Sequence, residues 1–142
     1  MNQFNDDRVI IKPLEKFNLE EGDVFHALKA SEPEFNGFQE AYFSTIKKDR
    51  IKGWKRHLRM TMNLIVPVGN VQFNFYDDRK FLIKNIVIGE KNYSRITVPP
   101  MIWFGFKGIS NNTSYILNIS DVLHDPSEQE RKPLTFLNFI SK

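Results

Sequence analysis

The feature that most constrains the fold is a series of short segments in which apolar and polar residues alternate. Between Val71 and Tyr76, the residues Val71, Phe73 and Phe75 fall on one side and the residues between them on the other. A period of two places successive side chains on opposite faces, as in a half-buried β-strand. About eight to ten such segments follow one another, separated by turn residues every 8–12 positions, and none keeps a helical period. The sequence therefore predicts an all-β sandwich or barrel with little helix.

The composition is sufficient for one packed core. The chain has 142 residues, of which 41% are hydrophobic and 13% aromatic, and it contains 13 phenylalanines. Aromatic side chains fit the pleated surface of a sheet. A chain of this length normally forms one domain, so we expect a single domain over residues 1–142.

Several classes of protein do not fit the sequence. There is no cysteine, which excludes a disulfide framework and a thiolate metal site or nucleophile. The N-terminus MNQFNDDRV has no apolar run and does not resemble a signal peptide, and no stretch approaches the ~18 apolar residues of a membrane span. The three histidines lack the close spacing of metal ligands. We therefore expect a cytoplasmic protein with no metal, no other cofactor and no membrane contact.

Positive charge is concentrated in one segment, residues 47–59, with the sequence KKDRIKGWKRHLR. It contains seven of the 20 lysines and arginines, a single acid, Asp49, and a histidine, His57. A cationic patch around a titratable base suits a phosphate-bearing ligand from which a proton is removed. A basic chain also suggests nucleic-acid binding, but the patch is short and no helix-turn-helix or zinc-finger pattern is present. We therefore expect no nucleic-acid partner.

A row of polar residues accompanies His57. The segment from 58 to 66 alternates and is predicted as one strand, whose polar face would hold His57, Arg59, Thr61 and Asn63. That face is either exposed to solvent, as is ordinary for an antiparallel strand, or lines a polar cavity inside a small barrel. The neighbouring cations favour the cavity, because they would lower the pKa of His57 and keep its imidazole neutral.

Other side chains are less sharply selected by the sequence. Trp54 and Trp103 either stack on a base or sugar or, more commonly, fill a core. The polar segment with Asp125, Glu128 and Glu130 is predicted as a solvated loop. Four tyrosines are candidate proton donors, and their spacing selects none of them: Tyr42, Tyr76, Tyr93 and Tyr115.

Five segments carry a resemblance to a known family. They are GDVFHALKA, FQEAYFSTIKKDRIKGWKRH, MNLIVPVGNVQFNFYDD, ITVPPMIWFGFKG and ILNISDVLHDPSEQERK, and the similarity extends from about residue 22 to residue 131. Read in this order, they resemble the dTDP-4-dehydrorhamnose 3,5-epimerases and their relatives in the cupin superfamily. The resemblance implies a cupin-type double-stranded β-helix, or jelly roll, that is usually dimeric and acts on nucleotide-linked 4-keto sugars. The related 3,4-ketoisomerases share this fold.

The resemblance also implies roles for individual residues. His57 lies where the family has its catalytic base, and His124 or a tyrosine would be the proton donor. Met62 stands where epimerases have a lysine, and the segment 103–106 replaces an AHGF-like motif. The implied substrate-binding residues are Lys55, Arg56, Arg59, Thr61, Asn63, Trp103 and Asn118.

The sequence therefore predicts an enzyme of polysaccharide biosynthesis. It would epimerise or isomerise a nucleoside-diphosphate 4-keto-6-deoxy hexose by removing the proton α to the ketone, and its partners would be that sugar nucleotide and a second copy of the chain. The alternative is a non-catalytic cupin that binds a sugar nucleotide or an anionic glycan. A third hypothesis is a basic β-module that binds nucleic acid, with the row beside His57 exposed.

Overall fold

The structure, a computed structural model, describes residues 8–139. These residues contain twelve β-strands and two 3₁₀ helices, at Pro126–Glu128 and Leu134–Phe136. None of the helices in residues 8–139 has the length and apolar character to cross a bilayer. The strands are β1 (Ile10–Pro13), β2 (Lys16–Phe17), β3 (Val24–Phe25), β4 (Glu40–Ile46), β5 (Ile51–His57), β6 (Met62–Val68), β7 (Asn70–Asp77), β8 (Leu82–Gly89), β9 (Ser94–Val98), β10 (Trp103–Gly108), β11 (Ser114–Ser120) and β12 (Gln129–Arg131).

Two five-stranded antiparallel sheets form the body of the molecule. The first has the strand order β1-β9-β6-β11-β4 and the second the order β12-β5-β10-β7-β8, while β2 and β3 form a separate small ladder. The two sheets bury apolar side chains between them, with Leu64 and Ile96 from the first sheet and Phe73 and Phe75 from the second. This arrangement confirms the predicted all-β jelly roll with little helix.

The alternating pattern was a reliable guide where a strand has neighbours on both sides. The predicted strand from Val71 to Tyr76 lies within β7, and its alternate residues Phe73 and Phe75 are buried in the core. Gly69 forms the turn that joins β6 to β7 at a φ of +85°. Only glycine adopts this backbone conformation without strain, and a Cβ at this position would also overlap the side chain of Ser114.

The predicted strand over residues 58–66 is wrong at its start. β5 ends at His57, β6 begins at Met62, and residues 58–61 form a bend between them. Acceptors from elsewhere bind the four backbone amides of this bend. The backbone carbonyl of Glu128 accepts from the amide of Leu58 (2.8 Å). The carboxylate of Glu128 accepts from the amides of Arg59 and Met60 (3.0 and 2.9 Å). The carboxylate of Asp121 accepts from the amide of Thr61 (2.8 Å). The polar row that begins at His57 is therefore interrupted, and its members do not share one face.

Candidate active site

A cavity of about 190 Å³ lies between the two sheets. Its interior wall is apolar, with side chains such as Met62, Phe73 and Phe104, and no acidic side chain of the described residues lines it. Three cations and three uncharged polar side chains complete the lining. They are Lys52, Lys55 and Arg131 from the second sheet, and Tyr42, Ser44 and Asn118 from the first. A partly apolar cavity with positive charge at its edge suits a ligand that combines a ring with an anionic group.

Strand β5 places two of the central groups. Lys55 and His57 are two residues apart, so both side chains lie on the face of β5 that looks toward the other sheet. β12 pairs with β5 so that Gln129 is opposite His57 and Arg131 is opposite Lys55. The short strand β12 therefore brings a second cation to the position of Lys55.

His57 is held by a buried carboxylate. The imidazole is 3% exposed, and its Nδ1 lies 2.7 Å from Oε1 of Glu128, which is 1% exposed. The second carboxylate oxygen of Glu128 accepts hydrogen bonds from the amides of Arg59 and Met60. Both oxygens of the carboxylate are therefore bound, and the imidazole has a fixed orientation.

The pKa values of this pair favour a neutral imidazole beside an ionised carboxylate. Burial raises the pKa of Glu128, but the amides of Arg59 and Met60 and the His57 ring outweigh it, so the pKa lies below its usual value. Burial lowers the pKa of His57, and the attraction of Glu128 opposes this only in part. An ionised carboxylate only accepts hydrogen bonds, so Nδ1 of His57 is the nitrogen that carries the hydrogen.

The other ring nitrogen of His57, Nε2, keeps a lone pair that can accept a proton. Among residues 8–139, Nε2 has no hydrogen-bond partner although it is buried. The ring stacks on Phe104 with 6.1 Å between the ring centroids, and Phe104 lines the cavity. His57 therefore lies beside the cavity without being one of its lining residues. A neutral imidazole with a free lone pair and a carboxylate behind it is the arrangement of a general base.

Lys55 is a cation on the same face of β5 as this base. Burial lowers the pKa of its ammonium, and the positive charge of Arg131 lowers it further, while Glu128 acts in the opposite direction. The cavity therefore holds positive charge that its own residues do not neutralise. An anion that enters the cavity would relieve this repulsion.

The structure places three of the sequence-predicted site residues together. Lys55 and Asn118 line the cavity, and His57 lies at its edge. Arg56 faces the opposite side of β5, where its guanidinium lies over Trp103 at 4.6 Å from the ring centroid and pairs with Asp78 and Glu130. Arg56 lies between Lys55 and His57 in the sequence, and adjacent residues of a strand point to opposite faces. The sequence order alone therefore places Arg56 on the other face from Lys55 and His57.

The remaining predicted site residues lie away from the cavity. The side chain of Arg59 is 62% exposed and pairs with Asp125 at 3.1 Å, and the exposed ring of His124 lies 3.4 Å from Gln129. Thr61 and Asn63 instead hold the loop over residues 34–36, through Asn36 and the carbonyl of Glu34. The proton-donor role predicted for His124 stays a prediction, as do the substrate contacts predicted for Arg59, Thr61, Asn63, Arg56 and Trp103.

Two site residues were missed from the sequence, Glu128 and Arg131. The prediction of a solvated loop is wrong at Glu128. The 3₁₀ turn and β12 place its side chain in the interior, in contact with His57 of β5. Asp125 caps this turn by accepting from the amide of Ser127 (3.0 Å), and Pro126 follows the cap. A capping residue followed by proline is a helix-start signal that could have predicted the turn. The 71-residue separation of Glu128 from His57 leaves no local signal for their pairing.

Comparisons with known proteins place the chain among enzymes of sugar metabolism. No family model matches the sequence. A probable low-salt glycan biosynthesis epimerase from Haloferax volcanii is 31% identical over 101 residues, and the match covers 66% of this chain and 65% of that relative. The chain thus spans slightly less than two thirds of the length of that relative.

Solved structures extend the similarity over almost the whole chain. A dTDP sugar isomerase from Desulfovibrio desulfuricans G20 is 32% identical, with a TM-score of 0.89 over 94% of this chain and 90% of that chain. A dTDP-4-dehydrorhamnose 3,5-epimerase from Sulfolobus tokodaii has the same fold at 15% identity, with a TM-score of 0.81 over 94% of this chain and 82% of that chain. These similarities confirm the resemblance drawn from the sequence. The chain belongs to the family of dTDP-sugar isomerases and epimerases built on the cupin jelly roll.

Proposed function

We propose that this chain epimerises or isomerises a nucleoside-diphosphate 4-keto-6-deoxy hexose by removing the proton α to its ketone. The observation that carries the proposal is the buried pair of His57 and Glu128 beside a cavity with cations at its edge. Proton abstraction needs a neutral base, and the lowered pKa of His57 supplies one at neutral pH. A cavity without acidic lining residues suits a substrate that carries a diphosphate.

The reaction begins at Nε2 of His57. Its lone pair takes the proton from the carbon next to the ketone, and the electrons move onto the ketone oxygen to give an enolate. The carboxylate of Glu128 stabilises the imidazolium that forms, since it lies 2.7 Å from Nδ1. Lys55 and Arg131 offset the negative charge of the enolate or hold the diphosphate. Return of a proton to the other face of the same carbon inverts it. In ketone migration the proton goes instead to the former ketone carbon, while the hydroxyl on the deprotonated carbon loses its hydrogen to become the new carbonyl and the former ketone oxygen gains a hydrogen to become a hydroxyl.

Solvent exchange tests this proposal. The protein is incubated with TDP-4-keto-6-deoxyglucose in D₂O, and deuterium at the carbon next to the ketone is followed by NMR. Wild type is expected to incorporate deuterium, and His57→Asn to be slower by about 10²–10⁴-fold, the usual contribution of a general base. His26→Asn is the matched control, because His26 lies in a loop away from the cavity. This variant should incorporate deuterium into the sugar at the wild-type rate.

The alternative, a protein that binds the sugar nucleotide without reacting with it, gives a different result. In that case TDP would raise the melting temperature of wild type, and no deuterium would enter the sugar from either wild type or His57→Asn. Equal exchange rates for wild type and His57→Asn would contradict the role of His57.

We also propose that the protein acts as a cytoplasmic, single-domain homodimer. The absence of cysteine from all 142 residues is in keeping with a reducing compartment. The outer face of the first sheet supports the dimer, because it exposes Phe43 and Tyr115 on adjacent strands. Exposed apolar patches on a sheet commonly mark an interface between chains.

A further inference from the structure

We propose that Trp54 positions Arg131 in the cavity by holding the segment that follows Arg131 in the chain. This segment comprises residues 132–139 and is called the strap below. Trp54 is 3% exposed and is not one of the residues that line the cavity, so it would act without touching the substrate. The inference rests on the proposed function, in which Arg131 is one of the cations for the substrate.

Arg131 has few contacts of its own that fix its place. It belongs to β12, a strand of three residues at the edge of the second sheet that pairs only with β5. Within residues 8–139, no carboxylate pairs with the Arg131 guanidinium, and its hydrogen bond to Gln129 is long, at 3.5 Å. A strand pair this short is marginal in water without further packing. The position of Arg131 therefore depends on what holds the chain on either side of it.

Trp54 holds the strap at two points. The backbone amide of Trp54 donates to the carbonyl of Lys132 at 3.1 Å, and the carbonyl of Trp54 accepts from the amide of Lys132 at 2.9 Å. The indole Nε1 of Trp54 donates to the carbonyl of Leu137 at 3.2 Å. The first two bonds extend the pairing of β5 and β12 by one residue beyond Arg131, and the third fixes the strap five residues further on.

Aromatic rings pack the strap against the outer face of the second sheet. The Trp54 ring lies 6.4 Å from Phe136 and 6.0 Å from Phe139, measured between ring centroids. Phe136 also packs on Trp103 at 5.3 Å. A Cβ at Gly105 of β10 would lie 3.3 Å from the Phe139 ring, so the glycine leaves room for this contact. Trp54 thus takes part in both the hydrogen bonding and the ring packing that hold the strap.

Glu128, which precedes β12, is held without the strap. Its carboxylate and its carbonyl accept hydrogen bonds from three backbone amides of the bend 58–61. Release of the strap should therefore displace Arg131 and leave the pair of His57 and Glu128 in place. A residue that only stabilised the fold would not separate these two parts of the site.

Nucleotide affinity and proton exchange report on the two parts separately. Isothermal titration calorimetry gives the Kd for TDP, and NMR gives the rate of deuterium entry into saturating TDP-4-keto-6-deoxyglucose in D₂O. We expect Trp54→Ala to weaken TDP binding about 10-fold, the lower end of what a hydrogen bond to a charged group contributes. Its exchange rate at saturation should stay within about threefold of wild type, as expected when only binding is lost.

Conservative and matched variants accompany this change. Trp54→Phe keeps a ring for Phe136 and Phe139 but loses the bond to Leu137, so its affinity for TDP should lie between those of wild type and Trp54→Ala. Phe136→Ala releases the strap from its own side and should reproduce the loss of affinity. Leu134→Ala, in the same strap but at a side chain that is 47% exposed, should match wild type in both measurements.

A double variant shows whether Trp54 acts through Arg131. Trp54→Ala combined with Arg131→Ala should bind TDP as weakly as Arg131→Ala alone, because the effects of a positioning residue and of the group it positions do not add. Losses that add in full would mean that Trp54 affects the nucleotide by another route, and would overturn the inference.

The remaining outcomes are distinct, with thermal unfolding as the check that each variant is folded. Wild-type affinity in Trp54→Ala, or in Phe136→Ala where Trp54→Ala does not fold, would overturn the role of Trp54 and leave the proposed function in place. A large loss of exchange at saturation in a folded Trp54→Ala would also overturn it, since the strap would then hold the base as well. Absence of exchange in wild type would refute the proposed function, while the TDP affinities would still decide the role of Trp54.

Discussion

At the scale of single residues, the proposed chemistry depends on His57 and the carboxylate of Glu128. The carboxylate of Glu128 has three hydrogen-bond partners: the backbone amides of Arg59 and Met60 at one oxygen and the ring of His57 at the other. These bonds keep the carboxylate ionised in spite of burial. The ionised carboxylate selects the tautomer of His57, and the tautomer leaves Nε2 able to accept a proton.

Replacement of Glu128 by glutamine tests the role of the carboxylate. We expect Glu128→Gln to lower the rate of deuterium entry into TDP-4-keto-6-deoxyglucose by about 10²-fold or more, because an amide neither stabilises the imidazolium nor fixes one tautomer. The exchange rate is measured by NMR, with thermal unfolding as the check on folding. Glu130→Gln, at an exposed ion pair with Arg56, is the matched control. A Glu128→Gln variant that is folded and exchanges at the wild-type rate would contradict this role.

The tautomer of His57 is directly observable. In ¹⁵N-labelled protein at pH 7 we expect a neutral imidazole with its hydrogen on Nδ1, because the pKa of His57 lies below 6.5 and Nδ1 faces a carboxylate. Long-range ¹H–¹⁵N correlation spectra distinguish the two tautomers and the imidazolium, and His57→Asn identifies the signal. A hydrogen on Nε2, or an imidazolium at pH 7, would contradict the arrangement of the base.

At the scale of elements, the short strand β12 completes the site. Its pairing with β5 brings Arg131 opposite Lys55, and the turn before it places Glu128 beneath His57. The 3₁₀ turn thus supplies the carboxylate for the base, and the strand supplies a positive charge at the cavity. This pairing explains why the site combines β5 with residues more than 70 positions later in the chain.

The positive charge supplied by β12 should govern nucleotide affinity. We expect Arg131→Ala to weaken the binding of TDP by about 10- to 100-fold, since hydrogen bonds to charged groups contribute roughly 1.5–3 kcal/mol. Isothermal titration calorimetry at fixed salt measures the Kd. Lys48→Ala removes an exposed cation from the same positive segment, outside the cavity, and should change the Kd less than twofold. Equal weakening in both variants would point to diffuse attraction and contradict a specific site.

The sequence predicted the elements better than the site. Alternation identified β7, because this strand has neighbours on both sides and one face in the core. It failed at residues 58–61, where Glu128 and Asp121 bind the amides that a continuing strand would present to its neighbour. The sequence singled out His57 and the cations beside it, but the burial of Glu128 depends on contacts between distant segments. Local pattern contains no information on such contacts.

At the scale of the whole molecule, one sheet face is unusually apolar. On the outside of the first sheet, Phe43 lies opposite Leu117, and Tyr115 lies opposite Val68. Phe43 is 62% exposed. Exposed apolar surface of this kind is costly in water, and a second copy of the same sheet could cover it. The proposed homodimer would therefore use this face.

A charge on that face should prevent the association. We expect wild type to have the mass of a dimer in size-exclusion chromatography with light scattering, and Phe43→Glu to have the mass of a monomer, because a carboxylate in an apolar interface is desolvated without a partner. Phe81→Glu is the control, as Phe81 is more exposed still but lies in the turn before β8. A monomeric wild type, or a dimeric Phe43→Glu, would contradict this interface.

The measurement that tests the central claim most directly is the pH dependence of proton exchange. The rate of deuterium entry into TDP-4-keto-6-deoxyglucose is followed by NMR from acid to neutral pH in wild type and in His57→Asn. Because burial lowers the pKa of His57, we predict that the wild-type rate rises with pH through one deprotonation centred below 6.5 and is constant at pH 7. His57→Asn should have no such step and only residual exchange. A wild-type rate with its midpoint above 6.5, or the same pH-dependent exchange in His57→Asn, would contradict His57 as the base.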